Sequence, residues 1–86
     1  MSKVTVRYWA AAKAAAGVPE EPVEAATLAG ALDAIVAARP PGDPLRTVLA
    51  RSSFLVNATP VGRAAKESVL LDEGALVEVL PPFAGG

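Results

Sequence analysis

Residues 75–86 read Ala75-Leu76-Val77-Glu78-Val79-Leu80-Pro81-Pro82-Phe83-Ala84-Gly85-Gly86. From Ala75 to Leu80 the side chains predict a strand, with Val77 and Val79 on one face and Leu76, Glu78 and Leu80 on the other. Pro81 and Pro82 end its ladder, since neither has an N–H to donate, and they stiffen the base of the last four residues. Residues 83–86 are therefore expected to form an extended, flexible tail beyond a folded domain spanning residues 1–82. Asp72-Glu73-Gly74, just before the strand, predicts a turn with glycine where positive φ is needed.

A second strand is predicted over Lys3 to Trp9, where Val4, Val6 and Tyr8 alternate with Thr5, Arg7 and Trp9. The first set faces a core, and Trp9 points the other way. The alanine run from Ala10 to Ala16 reads as a short helical turn or loop ending at Gly17. Glu20 to Ala25 contains Pro22, so a strand there belongs at a sheet edge. Thr27 is placed to cap a helix in which Leu28, Ala31, Leu32, Ile35 and Val36 recur at helical spacing, with Leu28, Leu32 and Ile35 expected in the core. Gly30 within it costs about 1 kcal/mol relative to alanine. Pro40 and Pro41 stop that helix, and Pro44 suits the first turn of a shorter one through Leu45, Val48 and Leu49. Phe54 to Asn57 and a stretch around Val61 read as two short strands about the turn Asn57-Ala58-Thr59-Pro60, with ambiguous parity. The order strand, strand, helix, strand, strand, strand predicts an α+β fold. One mixed sheet of four to five strands packed on one main helix is expected. That resembles the ubiquitin-like β-grasp arrangement, in which the first and last strands lie side by side and parallel.

Composition narrows the chemistry. Eighty-six residues suffice for one core, and 52% hydrophobic against 20% charged residues is the balance of a chain that folds alone. A net charge of −1 lacks the basic footprint of phosphate-backbone binding, so nucleic acid is not an expected partner. The sequence has no cysteine and no histidine. This chain therefore supplies no thiolate nucleophile, imidazole base, zinc-finger ligand set or disulfide. No metal site or bound cofactor is expected, and catalysis by the chain alone is not. No apolar run approaches the ~20 residues of a membrane span, and Met1-Ser2-Lys3-Val4 is no signal-peptide start, so a cytoplasmic location without membrane attachment is expected.

Glycine at a chain tip has a physical use: without a Cβ it passes a narrow tunnel and leaves the terminal acyl carbon open to attack. The ending Leu80-Pro81-Pro82-Phe83-Ala84-Gly85-Gly86, the turn Asp72-Glu73-Gly74, and Val6-Arg7-Tyr8-Trp9-Ala10 with Gly17 together resemble the small subunit of molybdopterin synthase, a MoaD-type carrier of the ThiS/MoaD ubiquitin-like family. The resemblance covers essentially the whole chain. Lys13-Ala14 departs from the Arg-Glu usual in that family, and Asp72-Glu73-Gly74 varies its commoner Asp-Gly-Asp turn. The resemblance implies that the Gly86 carboxylate is adenylated by a ubiquitin-activating-type adenylyltransferase using ATP, with Gly85, Ala84 and Phe83 forming the tail that presents it. A sulfurtransferase would then supply sulfur to make a thiocarboxylate. The large synthase subunit would pass that sulfur to precursor Z, the cyclic pyranopterin monophosphate, building the molybdopterin dithiolene. The alternatives are a sulfur carrier for cysteine, thiamine or transfer-RNA thiolation, a protein modifier conjugated through Gly86, and a plain ubiquitin-like binding module.

Partner contacts are expected at Trp9, Leu80, Pro81, Pro82 and Phe83, because Trp9 and Leu80 share the outward parity of two neighbouring strands and Phe83 lies between the prolines and the glycines. The competing possibility buries Trp9 under a local loop or the alanine run. Ser52-Ser53 has no histidine base and reads as a helix end. Asp72 and Glu73 read as turn residues, and Arg7, Lys13, Arg63 and Lys66 as solvated charges, one of which can pair with a partner near the tail.

Overall fold

β1 (Ser2–Tyr8) runs parallel to β5 (Leu76–Leu80), with Thr5 opposite Leu76 and Tyr8 opposite Val79. The computed structural model describes residues 1–82. On the far side of β1 lies β2 (Glu20–Ala25), antiparallel, with Pro22 opposite Thr5. β3 (Ser53–Val56) pairs antiparallel with β5, and β4 (Thr59–Pro60) pairs with β3. The sheet order is β2-β1-β5-β3-β4. Each edge strand carries a proline, which removes a donor from the exposed ladder and opposes pairing with another chain. The architecture is the ubiquitin-like β-grasp.

The described residues form three α-helices, α1 (Ala10–Ala16), α2 (Leu28–Ala37) and α3 (Pro44–Arg51), and a short 3-10 turn (Lys66–Ser68). α2 starts where Thr27 Oγ1 accepts the Gly30 N–H at 3.1 Å. Gly30 has a reason to be there: a Cβ at this position would stand 3.3 Å from that same oxygen. The buried residues of α2 are Leu28, Ala31 and Ile35, while Leu32 is only partly buried. Expectation and structure differ because spacings of three, four and seven centre the buried stripe on Ala31, whose small side chain admits close approach, and turn Leu32 to its flank.

The alanine run is a full two-turn helix rather than a loop. Ala12 is completely buried and Gly17 closes the helix at φ 80°, its N–H donating to the Lys13 carbonyl at 3.0 Å. α3 opens with Asp43 capping the Leu45 N–H at 2.9 Å and Pro44 in the first turn. Leu45 and Leu49 join Ala12, Leu28, Ile35, Phe54 and the inner valines of the sheet in a single buried cluster. In the β3–β4 hairpin both connecting residues have positive φ, Asn57 at 49° and Ala58 at 67°. β4 is shorter and earlier than the strand expected around Val61. Parity is resolved by the register: Phe54 faces Val79 and is buried, leaving Leu55 beside Glu78 on the outer face.

A buried-edge staple ties the elements together. Arg39, just past α2, donates to Ile35 O, to Ala16 O at the end of α1, and to Glu21 Oε2 of β2 at 2.9 Å. Tyr8 donates its phenol to the same carboxylate oxygen at 2.6 Å. Burial first, then the hydrogen bond and charge of Glu21, push the Tyr8 phenol well above its ordinary range. Burial opposes the Arg39 charge, but the hydrogen bond and charge of Glu21 outweigh it and hold the guanidinium above its usual value.

Candidate functional site

β1 delivers Trp9 to the same end of the sheet at which β5 delivers Leu80. The Trp9 N–H donates to Val79 O at 3.2 Å, extending the parallel ladder by one step and setting the indole beside Leu80 on the outer face. Ala10 then turns the chain into α1 at φ 48°, a left-handed conformation that costs a non-glycine residue on the order of 1–2 kcal/mol. Trp9 remains 45% exposed, so it does not lie under the alanine run. Its indole N–H donates to Glu78 Oε2 at 3.0 Å, which fixes the plane of the ring.

Trp9, Ala10, Leu80 and Pro81 line one apolar hollow of about 360 Å³. A second, of about 380 Å³, continues from Ala10 along Lys13, Ala14, Gly17, Val18 and Pro19. The structure therefore brings together three of the sequence-derived contact residues, Trp9, Leu80 and Pro81. Pro82 is exposed and comes directly after them, outside the lining. Phe83, Ala84, Gly85 and Gly86 lie outside the described residues.

Across β5 from this hollow, Ser53 stands opposite Leu80. Ser52 ends α3 by donating its hydroxyl to Val48 O at 2.7 Å. The Lys66 ammonium sits 5.5 Å from the centroid of the Phe54 ring. Arg7 pairs with Glu20 at 3.1 Å on the outer face. In the turn before β5, Glu73 Oε1 accepts from the Lys3 N–H at 2.8 Å, and Gly74, at φ 82°, donates to Lys3 O. Asp72 and Glu73 are thus turn residues: Asp72 O accepts the Ala75 N–H at 3.0 Å, and Glu73 anchors the start of β1. Among the described residues no cluster of three carboxylates could hold a metal ion, and no helix is long and apolar enough to cross a membrane.

Glu78 is the site residue that sequence reasoning missed. Its outward parity was legible, but its role as acceptor for the indole depends on the register that puts it opposite Arg7, one step before Trp9. Arg39 was missed for a similar reason, since its three partners lie on three different elements.

Residues 6–86 match the model of the ThiS family. Among curated proteins none matches by sequence. The fold is similar to that of the small archaeal modifier protein 1 of Methanosarcina acetivorans, with TM-score 0.84 and 23% identity over 100% of this chain and 98% of that one. It is similar also to a chain in the complex of subunits 1 and 2 of the molybdopterin-converting factor of Helicobacter pylori, with TM-score 0.69 and 23% identity over 98% and 99% of the two chains. A chain of the BexX/CysO complex of Amycolatopsis orientalis aligns with TM-score 0.75 and 22% identity, covering 96% of this chain and 99% of that one.

Proposed function

This chain belongs to the ThiS family of ubiquitin-like sulfur carriers and modifiers, and from that membership we propose that it serves as the sulfur-carrying small subunit of molybdopterin synthase. A carboxylate is a poor electrophile, so the chemistry begins with activation. The Gly86 carboxylate attacks the α-phosphorus of ATP on a ubiquitin-activating-type adenylyltransferase, releasing pyrophosphate and leaving an acyl-adenylate. Sulfide-level sulfur (HS−), released from a sulfurtransferase by a thiol reductant, attacks the acyl carbon and expels AMP, and Gly86 becomes a thiocarboxylate. Held by the large synthase subunit, it gives its sulfur to precursor Z. The chain binds no cofactor of its own and acts in the cytoplasm. Its partners bring every catalytic group, which a sequence free of cysteine and histidine requires.

The observation that carries this role is the exit of the last strand. β5 is central and paired on both sides, so Leu80 and Pro81 leave a rigid support beside an apolar hollow walled by Trp9. That arrangement suits a partner that grips the hollow and draws the residues beyond Pro82 into its own active site. Trp9, Leu80, Pro81, Pro82 and Phe83 would form the grip, and Ala84, Gly85 and Gly86 the inserted segment.

The test uses the full chain with ATP, the adenylyltransferase and a sulfur source. Intact-mass measurement is expected to give exchange of one oxygen for one sulfur, and addition of the large subunit and precursor Z to give the dithiolene product. Deletion of Gly86 should abolish both while leaving the unfolding midpoint unchanged. Covalent ladders on other proteins would assign the chain to the modifiers. A thiocarboxylate that the large subunit does not use would assign it to another thiolation pathway.

A further inference from the structure

The hollow beside Trp9 does not end at Ala10. Ala10 lines both it and the next hollow, which runs along α1 past Lys13 and Ala14 to Val18. The two make one surface, apolar along its length, with Lys13 the single charged residue in its lining. Trp9 and Val18, two of the large apolar side chains that the fold leaves exposed, stand one in each hollow. Lys13 is exposed, and neither ion pair among the described residues uses it.

The chain leaves its last strand on this surface. Pro81 lines the first hollow, Pro82 follows it, and the sequence continues Phe83-Ala84-Gly85-Gly86. Four extended residues span at most ~14 Å. Lys13 stands one helical turn beyond Ala10, a rise of about 4.5 Å. A tail that starts beside Ala10 is therefore long enough to bring its end to the Lys13 ammonium. The chemistry runs in the same order on both sides. The tail offers an aromatic ring, a methyl group, two residues without side chains and a carboxylate; the surface offers an indole-walled hollow, the Ala10–Ala14 side of a helix and a cation.

We propose that in the free protein residues 83–86 fold back onto this surface, with the Phe83 ring in the hollow of Trp9, Leu80 and Pro81 and the Gly86 carboxylate paired with Lys13. The inference rests on the reading above, in which Gly86 carries the reactive carboxylate at the end of the chain. Burial of the aromatic ring supplies most of the attraction, and the exposed ion pair orients the tip while contributing less. The tether makes the contact intramolecular, at an effective concentration on the order of mM, so it is populated even where separate molecules would not associate. The occupied hollow is the one assigned above to the large subunit. The docked tail is thus a resting state: a partner takes the hollow only by displacing Phe83, and the carboxylate is released in the same step.

The chain has one tryptophan, so its fluorescence reports on this hollow alone. Acrylamide quenching is measured on the full chain, on a chain ending at Pro82, and on Phe83→Ala and Lys13→Gln, each checked for an unchanged unfolding midpoint. Removal of residues 83–86 is expected to raise the quenching constant about twofold and to shift the emission to the red, the change that follows when a contact held by most molecules is lost. Phe83→Ala should reproduce both effects. Lys13→Gln should give part of them in the full chain and none in the chain ending at Pro82, and Lys13→Arg should restore the wild-type values. Raising salt to about 1 M, where the Debye length is ~3 Å, should move the full chain toward Lys13→Gln. Equal quenching with and without residues 83–86 overturns the inference. An equal effect of Lys13→Gln in both chains overturns the ion pair, since the charge would then act on the indole without the tail. Protection that rises with protein concentration overturns the fold-back in favour of a tail docked on a second copy. No activating enzyme or sulfur source enters these measurements, so a chain that shows the protection but gains no sulfur in the assay above overturns the carrier role and not the contact.

Discussion

Ala58 sits at φ 67° in the β3–β4 turn, where a Cβ crowds the following carbonyl. The turn needs left-handed residues at both connecting positions. Asn57 tolerates that and is held by its side chain, whose Oδ1 accepts the Leu76 N–H at 2.9 Å; alanine has no such compensation. Ala58→Gly is therefore expected to stabilise the protein by roughly 0.5–1 kcal/mol, read as a higher urea midpoint at unchanged slope. Tyr8 yields a prediction in pH. Its phenol titrates higher in the folded protein than in the unfolded chain, so above about pH 10 the unfolded state loses a proton that the native state keeps. The associated stability is complete below that pH and is lost as pH rises toward the folded value. Denaturation of wild type against Tyr8→Phe should show the wild type losing its advantage above about pH 10, with a flatter profile in the variant.

Among the elements, α2 shows how a stripe selects its members. Ile35 is 1% exposed against the sheet, whereas Leu32 lies at the rim of the same helix. Ile35→Ala is expected to cost about 2–5 kcal/mol and Leu32→Ala about 1 kcal/mol, measured by chemical denaturation. Equal costs would mean that both face the core. α1 makes the complementary point. Seven residues with six alanines have high helix propensity but no contrast between faces, so neither the helix nor its buried side could be read from periodicity. Packing against α3 and the β1–β5 end of the sheet selects Ala12 for the core. The hairpin shows the same limit, since a two-residue β4 is too short to display a period.

Across the whole molecule, the feature that bears on recognition is the apolar hollow where β1 and β5 end together. It is expected to govern affinity for the large subunit, because an aromatic anchor in a desolvated patch typically contributes about 2 kcal/mol or more. Trp9→Ala should therefore weaken that binding at least about 30-fold by calorimetry. Half-exposed, Trp9 contributes little to the core, so the unfolding midpoint should move little. Glu78→Ala, which removes the acceptor of the indole N–H, should weaken the same binding in smaller measure and shift the tryptophan emission, with Glu78→Gln restoring both. Unchanged affinity in Trp9→Ala would return the hollow to a purely structural role.

Local chemistry was enough to place the strands over Lys3–Trp9 and Ala75–Leu80, the Thr27 cap, the Pro22 edge strand and the Gly74 turn, because each rests on a period of two, a cap or a backbone dihedral that neighbouring residues impose. The parallel partnership of the first and last strands was implied only by the likeness to the β-grasp arrangement, and the structure bears it out. Other features belong to the tertiary structure alone. The indole of Trp9 meets Glu78 across 69 positions of chain, Arg39 meets Ala16 and Glu21 across 23 and 18, and the cations of residues 44–66 are left unpaired while Arg7 and Arg39 are neutralised. None of these can be read from a window of sequence, since a side chain's partner is set by strand register and by which helix ends converge, and those are fixed only when the whole core packs.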